Sequence, residues 1–203
     1  NDPSAWRDVF KFDAKSDISV GNGRLNYTSA TTREAGAVIF RRSPLLPTNK
    51  NWSIQVDAHI DPFKLTKQNQ FTDLFLGVGK TDDWRNTNVK FEFCRGKWGQ
   101  EPDDYDIQDD MDVNGRDMPK LFGMEGLDSP NVSLRMDFSA AKQTITYLFD
   151  GDGPAGGYQW VKQGTMVVDG GKYDLKMTSK DTFTIMLVGS SERQKVAKSQ
   201  AWL

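Results

Sequence analysis

The sequence predicts an all-β fold: an antiparallel β-sandwich or barrel of short strands. Three observations carry the prediction. Apolar and polar residues alternate with period two in four separate stretches. The acidic residues divide into 23 Asp and 5 Glu, and with 18 Gly the turn formers outweigh the helix formers. Asn-Gly, Asp-Gly and Gly-Gly steps fall between the alternating stretches, where hairpin turns need them.

Each element follows from the same signals. Residues 6–12 open as a strand, and 24–28 follows the turn Gly21-Asn22-Gly23. Residues 37–41 form a short apolar strand. In 53–60, Ile54, Val56, Ala58 and Ile60 fall on one face and Ser53, Gln55, Asp57 and His59 on the other. Residues 71–78 are apolar enough to be buried on both faces. In 88–95, Val89, Phe91 and Phe93 alternate with Lys90, Glu92 and Cys94. Residues 97–128 hold Pro102, Pro119 and many Asp, and are expected to be an irregular excursion over a rim or face. Residues 132–138 and 144–149 alternate again and read as a hairpin, with 157–168 as its next partner after the Asp150–Gly153 turn. Strands at 173–178 and 183–188 follow, then a loop ending in a strand at 200–203. No repeat or linker divides the chain, so 1–203 is expected to be one domain.

Composition excludes several functions. With 26 basic and 28 acidic residues the net charge is −2, which offers no basic field to a phosphate backbone, so nucleic acid is not an expected partner. No apolar run approaches the roughly 18 residues of a helical membrane span, so no membrane insertion is expected. One cysteine, Cys94, allows no intrachain disulfide and no cysteine zinc cluster. One histidine, His59, with no evident nucleophile beside it, supports no His-rich metal site and no catalytic triad. The chain begins at Asn1 without Met, which fits a processed mature protein or an excised domain, and carries sequons at Asn26, Asn51 and Asn131. Oligomeric state is not legible.

The order of features resembles the concanavalin A-like lectin/glucanase superfamily, and within it a bacterial, laminin-G-like branch. The residues that carry the resemblance are Phe10-Lys11-Phe12, Gly21-Asn22-Gly23-Arg24-Leu25, Pro44-Leu45-Leu46-Pro47, Trp52-Ser53-Ile54-Gln55-Val56 and Phe75-Leu76-Gly77-Val78-Gly79. Val132-Ser133-Leu134-Arg135-Met136-Asp137-Phe138 and the closing Ile185-Met186-Leu187-Val188-Gly189 continue it over most of the chain. The resemblance implies a two-sheet antiparallel β-sandwich, a concanavalin A-like jelly roll of two curved sheets packed face to face, with glycans bound on the concave one. The laminarinase-type Glu-x-Asp-x-Glu motif is absent, and the nearest strand carboxylate is Glu92, with no acid at 90 or 94. The legume-lectin pattern of metal ligands is absent too.

Candidate residues fall into three groups. Gln55, Asp57, His59, Lys90, Glu92, Arg135 and Asp137 lie on polar strand faces; if their strands are neighbours they line one sheet, where charged planar groups suit sugar hydroxyls. Otherwise they are a solvated face held by cross-strand ion pairs. Were the protein a glycosidase, Glu92 with Asp57 or Asp137 would be the carboxyl pair. Trp84, Trp98 and Tyr105 lie in polar surroundings, where rings stack on sugar faces, whereas Trp6, Trp52, Trp160 and Trp202 suit the core or its edge. Asp110-x-Asp112-x-Asn114-Gly115 matches the start of a calcium loop, but the twelfth position is Leu121 where a bidentate Glu is needed. The stretch reads first as a solvated acidic loop; the alternative is a calcium site of some other geometry.

The expected function is non-catalytic polysaccharide or glycan binding by a secreted, cell-surface or periplasmic domain, through Asp57, His59, Trp84, Lys90, Glu92, Trp98, Tyr105 and Arg135, with no required cofactor. The alternatives are a glycoside hydrolase or polysaccharide lyase on the same fold, and a calcium-dependent adhesion or structural module using Asp110, Asp112 and Asn114.

Overall fold

A computed structural model describes residues 6–21, 24–97, 105–170 and 173–203. Among them are two antiparallel sheets and no helix. Sheet A runs β1 (Trp6–Lys11), β4 (Ala35–Pro47), β14 (Thr182–Glu192), β6 (Gln70–Lys80), β7 (Asn88–Lys97), β8 (Tyr105–Val113), β10 (Glu125–Leu127), with β9 (Arg116–Asp117) paired on β8. Sheet B runs β13 (Val161–Val167), β12 (Thr144–Asp150), β11 (Asn131–Ser139), β5 (Trp52–Ile60), β15 (Val196–Trp202), β3 (Arg24–Ser29), β2 (Ser16–Gly21).

The period-two rows meet between the sheets. Leu74, Leu76 and Val78 of β6 and Val89, Phe91 and Phe93 of β7 face Val132, Leu134, Met136 and Phe138 of β11 and Ile145, Tyr147 and Phe149 of β12. Phe91 meets Tyr147 edge-on at 5.4 Å. Each such buried ring or branched chain contributes about 2 kcal/mol relative to exposure. As expected, β6 and β14 are buried on nearly every residue, because they are the central strands of sheet A. The 132–138/144–149 hairpin forms in register, and β13 pairs with β12.

Three segments differ from expectation. Residues 97–128 are not an irregular excursion where they are described: 105–113 is β8, paired along its length with β7. Its Tyr105, Ile107, Met111 and Val113 face inward and its Asp106, Gln108, Asp110 and Asp112 outward, so the strand alternates despite its acids. Residues 173–178 form no strand. Tyr173, Leu175 and Met177 are buried, but Lys176 sits at φ 51 and the backbone joins no ladder, so the alternation there reports burial without pairing. At the C-terminal end the strand begins earlier than 200, at Val196.

Candidate functional site

Sheet A carries on its outer face four cross-strand rows over β14, β6, β7 and β8. They read Ser190–Asp73–Cys94–Asp106, Val188–Phe75–Glu92–Gln108, Met186–Gly77–Lys90–Asp110 and Thr184–Gly79–Asn88–Asp112. The face is apolar towards β1 and β4 and acidic towards β8. On the apolar side Val38, Phe40, Phe75, Met186 and Val188 cluster, with Phe10 and Trp84 packed on them.

Two glycines shape this face. A Cβ on Gly77 would lie 2.9 Å from Lys90 Cγ, and one on Gly79 would lie 2.7 Å from Trp84 Cβ. Their missing side chains let Lys90 lie along the sheet and let the β6–β7 turn fold Trp84 back onto it. Trp84 then packs on Phe40 at 4.2 Å and on Phe10 at 6.0 Å between centroids. The Arg85 guanidinium lies 4.3 Å over Phe10 and 5.2 Å from the Trp84 ring. These residues line an open hollow of about 480 Å³ together with Val9, Leu45, Thr81 and Thr184.

Beside the hollow runs an ionic ladder. Lys90 Nζ lies 2.8 Å from Asp110 and 3.3 Å from Asp112, and Asn88 Nδ2 donates to Asp112 and to the Trp84 carbonyl. Burial pushes the Asp110 carboxyl up, but Lys90 and Lys120 outweigh it and hold it below the usual carboxylate value. Asp73 (3% exposed) and Glu92 (4%) are buried at the next rows. One donor atom each from Asp73, Glu92 and Cys94 lie within 4.8 Å of one another, the only such trio of His, Cys, Asp or Glu among the described residues. Gln108 Nε2 donates to Glu92 at 2.8 Å and Lys120 Nζ stands 3.5 Å away; Ser190 donates to Asp73 Oδ2, while Asp73 Oδ1 has no partner. Burial pushes Asp73 up to about 7 and, with the Asp73 charge beside it, pushes Glu92 well up too. Burial also raises the Cys94 thiol. Two carboxyls and a thiol suit a borderline cation more than calcium, which takes six to eight oxygens.

The expected single polar face is two faces. Lys90 and Glu92 lie on β7 of sheet A, with Trp84 in the turn before it, whereas Asp57, His59, Arg135 and Asp137 lie on β5 and β11 of sheet B. The core separates them, so Glu92 cannot form a carboxyl pair with Asp57 or Asp137; its close carboxyl neighbour is Asp73. Tyr105 offers no stacking surface: it is buried at the start of β8, stacked on Phe93 at 5.6 Å, and donates to the Ile60 carbonyl at 2.9 Å. Trp98 lies outside the described residues. Asp110 and Asp112 lie on a strand and bond Lys90, while Asn114 (φ 53) and Gly115 (φ 72) form the two-residue turn to β9. Both turn residues need positive φ, which Asn-Gly supplies, so this stretch is a hairpin and not a loop wrapped round an ion. His59 has both ring nitrogens engaged, by Asn131 at 2.8 Å and Asp61 at 2.7 Å, and stacks on Trp202.

Asp73 was not foreseen, although a lone acid inside the apolar run 71–78 is a visible oddity. The hollow's Phe10, Phe40 and Arg85 were not foreseen either, because only the strand order brings them beside Trp84.

The outline of two sheets, one of eight strands and one of seven, matches solved structures at low identity. The carbohydrate recognition domain of Emp46p in its potassium-bound form matches with a TM-score of 0.56 and 10% identity, over 98% of this chain and 84% of that one. Lectin II from Ulex europaeus matches at 0.54 and 11%, over 96% and 88%. The Lotus tetragonolobus seed lectin matches at 0.58 and 9%, over 100% and 93%. The fold is that of the concanavalin A-like lectins. No protein-family model matches the chain, and no curated protein does. At these identities the likeness is one of fold, so the concanavalin A-like architecture fixes where the sheets lie and leaves the chemistry to the side chains.

Proposed function

We propose that the protein binds a carbohydrate without cleaving it, in the hollow on the outer face of sheet A. The composition of that hollow carries the reading: aromatic rings of Phe10, Phe40 and Trp84 beside the Arg85 guanidinium, with Thr81 and Thr184 hydroxyls on its wall and the Lys90–Asp110–Asp112 ladder at its side. Rings supply a flat apolar surface for sugar C–H groups, and charged planar groups supply directional hydrogen bonds to hydroxyls. A volume of about 480 Å³ falls in the range of small-ligand sites. Support also comes from the similar structures, which include a lectin complexed with galactose and another with the methyl glycoside of α-L-fucose. Polysaccharide is met outside the cell or in the periplasm, which is where this reading puts the protein. Affinity electrophoresis through gels holding different soluble polysaccharides tests it. Retardation by at least one, lost in Trp84→Ala, is the expected result; no retardation by any class counts against the reading.

A hydrolase or lyase is the second reading, and it draws on the approach of Asp73 and Glu92 within 4.8 Å. Two close carboxyls, one holding a proton, are the working parts of a retaining glycosidase. Here both are buried and bonded to neighbours. Release of reducing ends from a polysaccharide, abolished in Glu92→Gln, would establish this reading over the first.

A further inference from the structure

The outer face of sheet B holds an arrangement separate from the hollow. Asp150 ends β12 with its carboxylate buried, where it accepts the backbone N–H of Gln159 at 2.6 Å and of Asp152 at 3.4 Å. This staple closes the segment 151–159 into a compact loop. Gly153, Gly156 and Gly157 stand at φ 71, 80 and 89, a conformation other residues rarely adopt, and they turn the chain back over the sheet. The loop thereby carries Tyr158 from β12 across β11 to β5. Its hydroxyl lies 3.4 Å from both carboxylate oxygens of Asp57, which also accepts the Ser133 hydroxyl at 2.6 Å. Asp150, Ser133 and Asp57 are register partners, so the loop follows one cross-strand row.

The rings then stack. Tyr158 lies on Trp160 at 5.1 Å with the planes 13° apart, and Arg135 stands over the Trp160 ring at 5.5 Å. Arg135 is oriented by Asp137 at 2.8 Å. Trp160 is thus flanked, while Tyr158 is 44% exposed, a large ring kept at the surface by a loop built to hold it there. Gln55 is exposed at the same place on β5 and hydrogen-bonds Tyr158. A rigid ring, a carboxylate at its edge and an amide beside it match the needs of a pyranose: C–H groups against the ring, adjacent hydroxyls donating to the carboxylate, a ring or hydroxyl oxygen accepting from the amide. Asp57, Asp137 and Asp150 outnumber Arg135 and Lys162, which share the row of Gln55, so the local charge favours a neutral sugar over an anionic one.

We infer that the Tyr158–Trp160 shelf, with Asp57 and Gln55 at its edge, is a second carbohydrate site that takes a neutral pyranose. It shares no residue with the sheet A hollow and stands or falls without it.

The test uses saturation-transfer NMR on the full chain with D-glucose, D-galactose, D-mannose and methyl α-L-fucoside as separate probes. In a Trp84→Ala protein, which disables the hollow, at least one probe is expected to receive saturation. Adding Tyr158→Ala should weaken that binding about tenfold, the loss of roughly one well-made contact. Adding Tyr158→Phe instead should keep most of it, because the ring remains. Adding Asp57→Asn should weaken it with the shelf's rings intact. Tyr158 is exposed, so circular dichroism is expected to be unchanged in its variants. If no probe binds the Trp84→Ala protein, or if Tyr158→Ala leaves binding as it was, the inference is overturned. The hollow is judged separately, on the Tyr158→Ala protein with Trp84 intact.

Discussion

Asp73→Asn tests how the acidic centre of sheet A is charged. The Asp73 carboxyl is pushed up to about 7 from 3.8, chiefly by burial. An acid raised in this way binds its proton more tightly in the folded protein than in the unfolded chain. Its contribution to stability is therefore fully present below the unfolded value near 3.8 and is lost as pH rises through about 7. At ~1.4 kcal/mol per pH unit the loss is roughly 4 kcal/mol at most. Some is shared with Glu92, whose own rise is due first to burial and then to Asp73. About 3 kcal/mol of the loss falls between pH 5 and 7, which for a chain of this size corresponds to roughly 8 °C of melting temperature. The assay is a series of thermal melts between pH 5 and 8 in EDTA, so that no cation neutralises the centre. Wild type should melt progressively lower as pH rises. Asp73→Asn should remove part of that slope, because it deletes one buried carboxyl and the Asp73 contribution to Glu92, while Glu92 keeps the rise that its own burial causes. A wild-type melting temperature that is level or rises across the window, or an Asp73→Asn protein that keeps the full slope, would refute the reasoning.

Three further outcomes follow from contacts already described. Lys90→Met should destabilise by about 2 kcal/mol at pH 7 in urea unfolding, because it leaves Asp110 with Lys120 and Asp112 with the Asn88 amide as their remaining partners. Asp110 is held low in the folded state, so that deficit should shrink as pH falls below 3.8. Gly79→Ala should cost about 1–3 kcal/mol and displace Trp84, seen as a changed near-UV circular dichroism spectrum and weaker polysaccharide retardation. Asp109→Ala should cost about 2–3 kcal/mol, because this buried carboxylate accepts the N–H groups of Leu121 and Phe122 at 2.8 and 2.9 Å. Hydrogen exchange at those two amides should rise well above that of the β7 ladder.

What the sequence made legible was local. Period two marked β5, β11 and β12 because their inward rows are apolar and their outward rows polar, and it marked β7 in the same way although Asn88, Glu92 and Cys94 of its outer row are buried too; the hairpin of β11 and β12 followed because its two strands are close in the chain. Period two names a face but not a sheet, so it placed Asp57 with Glu92 when the core lies between them. The strand β8 was hidden by its composition. Asp is depleted in strands, so 105–113 read as an acidic loop, although Tyr105, Ile107, Met111 and Val113 alternate. The Asn114-Gly115 pair is a strong hairpin signal, but beside Asp110 and Asp112 it reads as part of an acidic loop, solvated or holding calcium. The candidate sites are less legible still. Trp84 was marked by its polar setting, but Phe10 and Phe40 reach it through the pairing of β1 with β4 and β4 with β14, which no local pattern contains. Tyr158 depends on a loop that crosses two strands.

The order of strands also bears on how the chain acquires its shape. β14 stands in the middle of sheet A, between β4 and β6, and β15 stands in the middle of sheet B, between β5 and β3. Residues 182–202 therefore thread the centre of both layers, and each pairs with segments more than a hundred residues away. Neither sheet can close while these residues are still inside a ribosome or a translocation channel. Until they arrive, β4 and β6, like β3 and β5, present open strand edges to each other and to other chains. Folding is then slow, dominated by distant pairing, and the nascent chain is exposed to aggregation through the same edges that residues 182–202 cover.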